Sequence, residues 1–132
     1  MGSRKYYDYE VCYLAFHGDN GKAILLDDRG LSLRSLGSLL NKHRAGRRAI
    51  IHLASCYGLK VSQATMDNFL ATTGALAVCG YDVEVDTIEA AAFELLLFNH
   101  LSGRWRSIGR RLEQCRDAYP DMWARLGFVY SC

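Results

Sequence analysis

The fold is decided by one stretch of the sequence, residues 49–58, which reads AIIHLASCYG. Its first part, Ala49–Ala54, is almost wholly apolar, and this pattern is typical of a strand buried on both faces of a sheet. Two other stretches have the same character, Glu10–Phe16 and Ala75–Cys79. The segments between the three are long enough for helical crossovers. We therefore predict a mainly parallel sheet with helices on both faces, in a single α/β domain over residues 1–132.

The segments around these strands carry helix and turn signals. Ser32 is a suitable N-cap for a helix with leucines at helical spacing, and Gly74 is a suitable stop for a second helix. Thr87 can cap a long apolar helix that reaches about Leu101. Turn-forming residues at 17–21 follow the first strand. The remaining predicted elements are the second helix over Val61–Thr72, a charged helix over Trp105–Tyr119, a helical turn over Asp121–Leu126, and short strands at Lys22–Leu26 and Phe128–Tyr130.

Composition excludes several classes of function. Half of the 132 residues are hydrophobic, and the net charge is +2, too small to indicate nucleic-acid or membrane binding. No apolar run approaches the roughly 20 residues that span a bilayer. The five cysteines are an odd number without a visible secretory signal, which favours free thiols in a reducing cytoplasm. Cysteines and histidines do not share metal-ligand spacing, so we expect neither a metal nor a cofactor.

Two residues with catalytic potential follow buried strands. His17 comes after the first strand, and Cys56 comes after the strand that ends at Ala54. Because ligands bind at the carboxyl ends of parallel strands, we expect both side chains at one sheet edge. There an imidazole can take the proton of a thiol and return it to a leaving amine. The backbone amides of Gly18 and Cys56 are candidates for an oxyanion hole, with Cys56 as nucleophile and His17 as base.

The same residues also have a simpler interpretation. A free cysteine is usually a small buried hydrophobic residue, and a histidine at a strand end is usually part of a turn. Spacing alone leaves both interpretations open. His52, inside a predicted strand, is expected to be a hydrogen-bonded core residue rather than a second base.

Three stretches, in this order, resemble the caspase-like clan of cysteine peptidases and its prokaryotic CHAT-type members. They are YLAFHG at 13–18, IIHLASCYG at 50–58 and FLATTGALAVCG at 69–80. The resemblance spans roughly residues 10–103. It implies a caspase-like fold and a cysteine endopeptidase in a regulatory or defence system, acting on a protein or peptide. It also implies a strand or more before residue 10, so the chain is either a minimal version or lacks an N-terminal part.

An acidic loop follows the third strand. Asp82, Glu84 and Asp86 would lie at the same sheet edge and could line a pocket for an arginine or lysine side chain. Alternatively the loop is solvated, and Asp86 caps the next helix. Two functions remain open at this point: the peptidase, and a catalytically silent caspase-fold module that binds a regulatory protein partner.

Overall fold

The computed structural model describes residues 11–19, 22–24, 30–102 and 107–132. They form seven strands and five helices. In chain order these are β1 (Val11–Ala15), β2 (His17–Asp19), β3 (Lys22–Ile24), β4 (Gly30–Ser32), α1 (Leu33–Lys42), β5 (Ile50–Ala54), α2 (Gln63–Thr73), β6 (Ala77–Tyr81), α3 (Thr87–Leu101), α4 (Ile108–Ala118), α5 (Pro120–Arg125) and β7 (Phe128–Ser131).

The main sheet has four strands in the order β1-β5-β6-β7. The strands β1, β5 and β6 are parallel, and β7 is antiparallel to β6. The sheet is therefore mixed, which corrects the prediction of a mainly parallel one. The reason lies in the last connection. The chain returns to Gly127 beside the end of β6, where the Asp82 amide donates to the Gly127 carbonyl at 2.9 Å, so β7 runs back along β6.

Helices cover both faces of this sheet, as predicted. Alternate residues of a strand point to opposite faces, and β5 divides accordingly. Ile51 and Leu53 pack with α1 and α2, whereas Ile50 faces the cluster built by α3 and α4. The centre of the sheet is shielded from solvent, because every residue of β6 is buried.

The first strand is less buried than its sequence predicts. Val11 is 39% exposed and Tyr13 is 50% exposed. Among the described strands, β1 lies at an edge of the sheet and pairs only with β5. The prediction that it is buried on both faces is wrong, because an apolar run does not show whether a strand has neighbours on both sides.

Local signals place several helix ends correctly. The Ser32 hydroxyl accepts from the Ser35 amide at 3.1 Å, and Gly74 closes α2 in the left-handed region at φ +70°. The long helix α3 is capped by Asp86, not by Thr87. In the described part of the chain, no helix combines the length and the hydropathy that crossing a membrane requires.

A small antiparallel sheet follows β1 directly. Its order is β2-β3-β4, with Gly18 paired to Ala23 and Ala23 paired to Leu31. The residues predicted as a turn at 17–21 thus begin as a strand at His17, with Phe16 alone between it and the end of β1. This arrangement carries the chain away from the main sheet at the point where β1 stops.

Candidate active site

The candidate catalytic residues follow the ends of neighbouring parallel strands. The pair Ala15 and Ala54 ends the ladder between β1 and β5. His17 and Cys56 each lie two residues further on, and both line one cleft of about 670 Å³. His17 is exposed and Cys56 is half-buried. Within the described part of the chain the two side chains form no hydrogen bond with each other, so the structure brings them to one cleft without joining them.

A tight turn presents Cys56. The Gly58 amide donates to the Ser55 carbonyl at 3.2 Å, which closes a four-residue turn. Tyr57 occupies the left-handed region at φ +56°, a conformation that costs a residue with a side chain roughly 1–2 kcal/mol. A side chain at 58 would displace Ser55, because a Cβ there would lie 2.3 Å from the Ser55 hydroxyl and 3.3 Å from its carbonyl oxygen. Such local strain is often found next to reactive residues, and here it holds Cys56 at the tip of the turn.

The Cys56 sulfur contacts the loop that follows β6. The Val85 amide donates to Sγ at 3.4 Å, and Sγ lies 3.9 Å from the Val85 carbonyl. An N–H donor directed at sulfur is suited to a thiolate. The Cys56 amide itself donates to no group among the described residues, which leaves it free for an oxyanion. The other candidate donor, Gly18, lies in β2.

The three acidic residues of the loop have different environments. Glu84 lines the cleft and is exposed. Asp86 accepts from the Glu89 amide at 2.9 Å and so caps α3. Asp82 lies beside Gly127, at the start of β7. The three residues were predicted to line a pocket for a basic side chain. The structure brings Glu84 to the cleft and places Asp82 and Asp86 elsewhere.

A buried polar cluster at the floor of the cleft was not predicted. Glu94 of α3 accepts from the Tyr13 hydroxyl at 3.1 Å and forms a short contact with Nε2 of His52. The other ring nitrogen of His52 lies 3.4 Å from the sulfur of Cys79. Tyr81 completes the cluster, and Tyr13, Tyr81 and Glu94 all line the cleft. His52 is thus a hydrogen-bonded core residue, as its position in a strand suggested.

Burial and one negative charge control proton affinity in this cluster. Burial, and then the Glu94 charge, raise the pKa of Cys79 far above that of an ordinary thiol. The same two causes raise the pKa of Tyr13 and of Tyr81. The Tyr81 hydroxyl is close enough to feel Glu94, yet it forms no hydrogen bond of normal geometry. The one available signal for this cluster was Glu94, a glutamate between apolar neighbours in α3, since a carboxylate in such a place needs a partner.

The cysteines are all free, and none of the described clusters is suited to a metal. No group of three or more cysteine, histidine or acidic side chains among the described residues could hold an ion. The two nitrogens of His52 face different partners, Glu94 and Cys79, so these three do not converge on one point.

A comparison with protein-family models gives one finding. The family of unknown function DUF6642 matches residues 1–128, so the chain belongs to that family. Neither curated proteins nor solved structures gave a match.

Proposed function

We propose that this member of the DUF6642 family is a cysteine endopeptidase with Cys56 as nucleophile and His17 as general base. One observation carries the proposal. Both side chains line a single cleft at the carboxyl ends of two adjacent parallel strands. A cleft of about 670 Å³ is within the usual range for ligand sites, roughly 300–1,000 Å³.

The proposed reaction follows from these groups. His17 takes the thiol proton of Cys56, and the thiolate attacks the carbonyl carbon of a peptide bond. The Cys56 amide, together with that of Gly18, stabilises the oxyanion of the tetrahedral intermediate. His17 then returns the proton to the departing amine, which leaves a thioester on Cys56. Water, activated by His17, hydrolyses the thioester and restores the thiol.

The order of elements supports a caspase-like, CHAT-type assignment for this site. A strand leads to His17-Gly18, the adjacent strand leads to a Cys-x-Gly turn, and a helix closed by Gly74 leads to the next strand. These are the three stretches in which the sequence resembles that clan. This assignment would imply a prokaryotic regulatory or defence role, a protein or peptide substrate and a cytoplasmic location.

One observation favours the alternative of a silent module that binds a protein partner. Ile88 and Leu95 of α3 are 81% and 75% exposed. They are seven residues apart in sequence and therefore lie on one side of the helix, two turns apart. Exposed apolar residues that share one face of a helix are more typical of an interface than of a solvated surface.

The deciding experiment compares Cys56→Ala with Cys115→Ala on a peptide library. Cys115 is buried in the core away from the cleft, so its variant controls for the loss of any thiol. We expect Cys56→Ala to lose cleavage by at least about 10³-fold, since the covalent route is removed, and Cys115→Ala to retain most of it. Cleavage that survives Cys56→Ala would refute the proposal. A wild type that cleaves nothing, and whose Cys56 reacts no faster than an ordinary thiol, would favour the partner-binding module.

A further inference from the structure

The floor of the cleft contains a carboxylate whose hydrogen-bond donors need carry no positive charge. The Tyr13 hydroxyl donates to one oxygen of Glu94, and Nε2 of His52 contacts the other. The Cys79 thiol, which burial keeps protonated, can donate to Nδ1 of His52. In that arrangement the His52 ring donates to Glu94 through Nε2. Each oxygen of Glu94 then has a lone pair left to accept a further donor.

Among the described residues, the cleft around Glu94 contains neither a lysine nor an arginine side chain. It does contain one buried hydroxyl without a hydrogen bond of normal geometry. Among the described residues that line the cleft there are two carboxylates, Glu84 and Glu94, and neither lysine nor arginine. The Tyr81 hydroxyl, in a side chain that is 1% exposed, lies close to Glu94 but forms no hydrogen bond of normal geometry in the described part of the protein. A buried hydroxyl without a well-formed hydrogen bond is costly, and a donor brought by a ligand or by water would satisfy it.

We propose that the floor of the cleft is a subsite for a guanidinium or ammonium group, bound by Glu94 beside Tyr13 and Tyr81. A guanidinium has five N–H donors in a planar fork, enough for the free lone pairs of Glu94 and for the Tyr81 oxygen. The faces of phenol rings attract cations, more strongly where water is excluded. The proposed function supplies the source of this cationic group, and the subsite rests on it in this respect. The group would be the arginine or lysine side chain of a peptide whose carbonyl lies near Cys56.

This subsite differs from the one that the acidic loop indicated. Glu84 is exposed, so water and salt screen its attraction for a cation. The Glu94 side chain is 8% exposed, and an ion pair with it would be screened far less. Glu94 therefore determines the preference for a basic group, and Glu84 makes a minor contribution at the mouth of the cleft.

The test measures binding to the Cys56→Ala protein, so that turnover is not needed. The probes are N-acetyl-arginine amide, the neutral isostere N-acetyl-citrulline amide, and agmatine as a free guanidinium amine. We expect the arginine compound to bind at least about tenfold more tightly than the citrulline compound, as is typical of a charge-assisted hydrogen bond. Tighter binding of agmatine than of the arginine compound would assign the subsite to free amines. Equal binding of the arginine and citrulline compounds would overturn the proposal.

Isosteric variants locate the subsite. In the Cys56→Ala background, Glu94→Gln should reduce arginine binding to the citrulline level, and Glu84→Gln should reduce it by no more than about threefold. Glu89→Gln, on the same helix but paired with Arg125 on the surface, is the matched control and should leave binding unchanged. Arginine binding that persists in Glu94→Gln, or that is lost in Glu84→Gln alone, would contradict the assignment.

A second measurement keeps Glu94 in place, because the glutamine variant could fail to fold. Since Glu94 contacts the His52 ring, a cation on its free lone pairs should shift the NMR signals of that ring. The arginine compound should cause the shift and the citrulline compound should not. An unchanged His52 spectrum at saturating arginine compound would overturn the subsite. Binding without cleavage by the wild type would instead refute only the peptidase proposal.

Discussion

Two regions of the molecule each place a cysteine near a histidine, and they differ in access. Cys79, His52 and Glu94 are connected by close contacts inside the sheet, in the order thiol, imidazole, carboxylate. Cys56 and His17 share only a cleft. By contacts alone, Cys79, His52 and Glu94 resemble a catalytic triad more closely than Cys56 and His17 do. Yet the Cys79 side chain is fully buried, so no substrate carbonyl can reach its sulfur.

Charge separates the two regions as well. A thiolate at Cys79 would lie near the Glu94 carboxylate in a site without water, and its pKa is raised accordingly. The sulfur of Cys56 instead accepts a hydrogen bond from the Val85 amide at 3.4 Å. The comparison teaches that a chain of hydrogen bonds does not identify a nucleophile. Access of a substrate to the sulfur, and an N–H donor directed at it, do.

The largest expected difference between the regions is thiol reactivity. At mildly acidic pH, iodoacetamide should modify Cys56 on the order of 10³-fold faster than Cys79, because Cys79 reacts only after the protein opens. Peptide mapping after timed quenching measures both rates in one sample. N-acetylcysteine in the same sample serves as the ordinary thiol, and Cys56 should also exceed it; Cys132 is unsuited, because partial burial and the charge of Glu113 raise its pKa. Comparable modification of Cys79 and Cys56 in the folded protein would break the comparison.

The two histidines should separate activity from stability. His52→Ala removes one of the hydrogen-bond donors of the buried Glu94 carboxylate, and leaving such a group unsatisfied typically costs about 1–3 kcal/mol of unfolding free energy, or more when the group is charged. His17→Ala, at an exposed position, should change stability by less than about 0.5 kcal/mol while abolishing cleavage. Urea unfolding and peptide turnover on both variants measure the two effects. An unstable His17→Ala protein, or a fully stable His52→Ala protein, would reverse the assignment.

Alkaline pH should lower the unfolding free energy of the protein through its buried thiols. Burial raises the pKa of Cys115 from 9.0 to about 11, and the pKa of Cys79 is raised further. A raised pKa means that the unfolded chain loses its proton first, so stability is complete below pH 9 and falls as pH rises above it. Each group contributes a slope of up to about 1.4 kcal/mol per pH unit.

Urea unfolding at pH 7, 9, 10 and 11 measures this decline. The matched variant Cys115→Ala should be less stable at pH 7 because it leaves a cavity, but its slope between pH 9 and 11 should be smaller by one group. A slope that does not change in this variant would show that Cys115 is not among the groups that titrate.

The sequence by itself determined the features that depend on neighbouring residues. The strands at β5 and β6 follow from short apolar runs, and the ends of α1 and α2 follow from a serine hydroxyl and a left-handed glycine. The positions of His17 and Cys56 after strands follow in the same way, because a strand end is marked by its own turn residues. Their place in one cleft followed from the rule for parallel strands only on the condition that the two strands are neighbours, and the pairing of β1 with β5 was decided by the tertiary structure.

The tertiary structure alone decided what depends on residues far apart in the chain. Glu94 meets His52 across 42 positions and Tyr13 across 81, and no local pattern carries that information. The reversed direction of β7 and the exposed edge at β1 also depend on which elements become neighbours. Periodicity shows that a residue is buried but not what it is buried against, so the carboxylate at the floor of the cleft was found only in the folded chain.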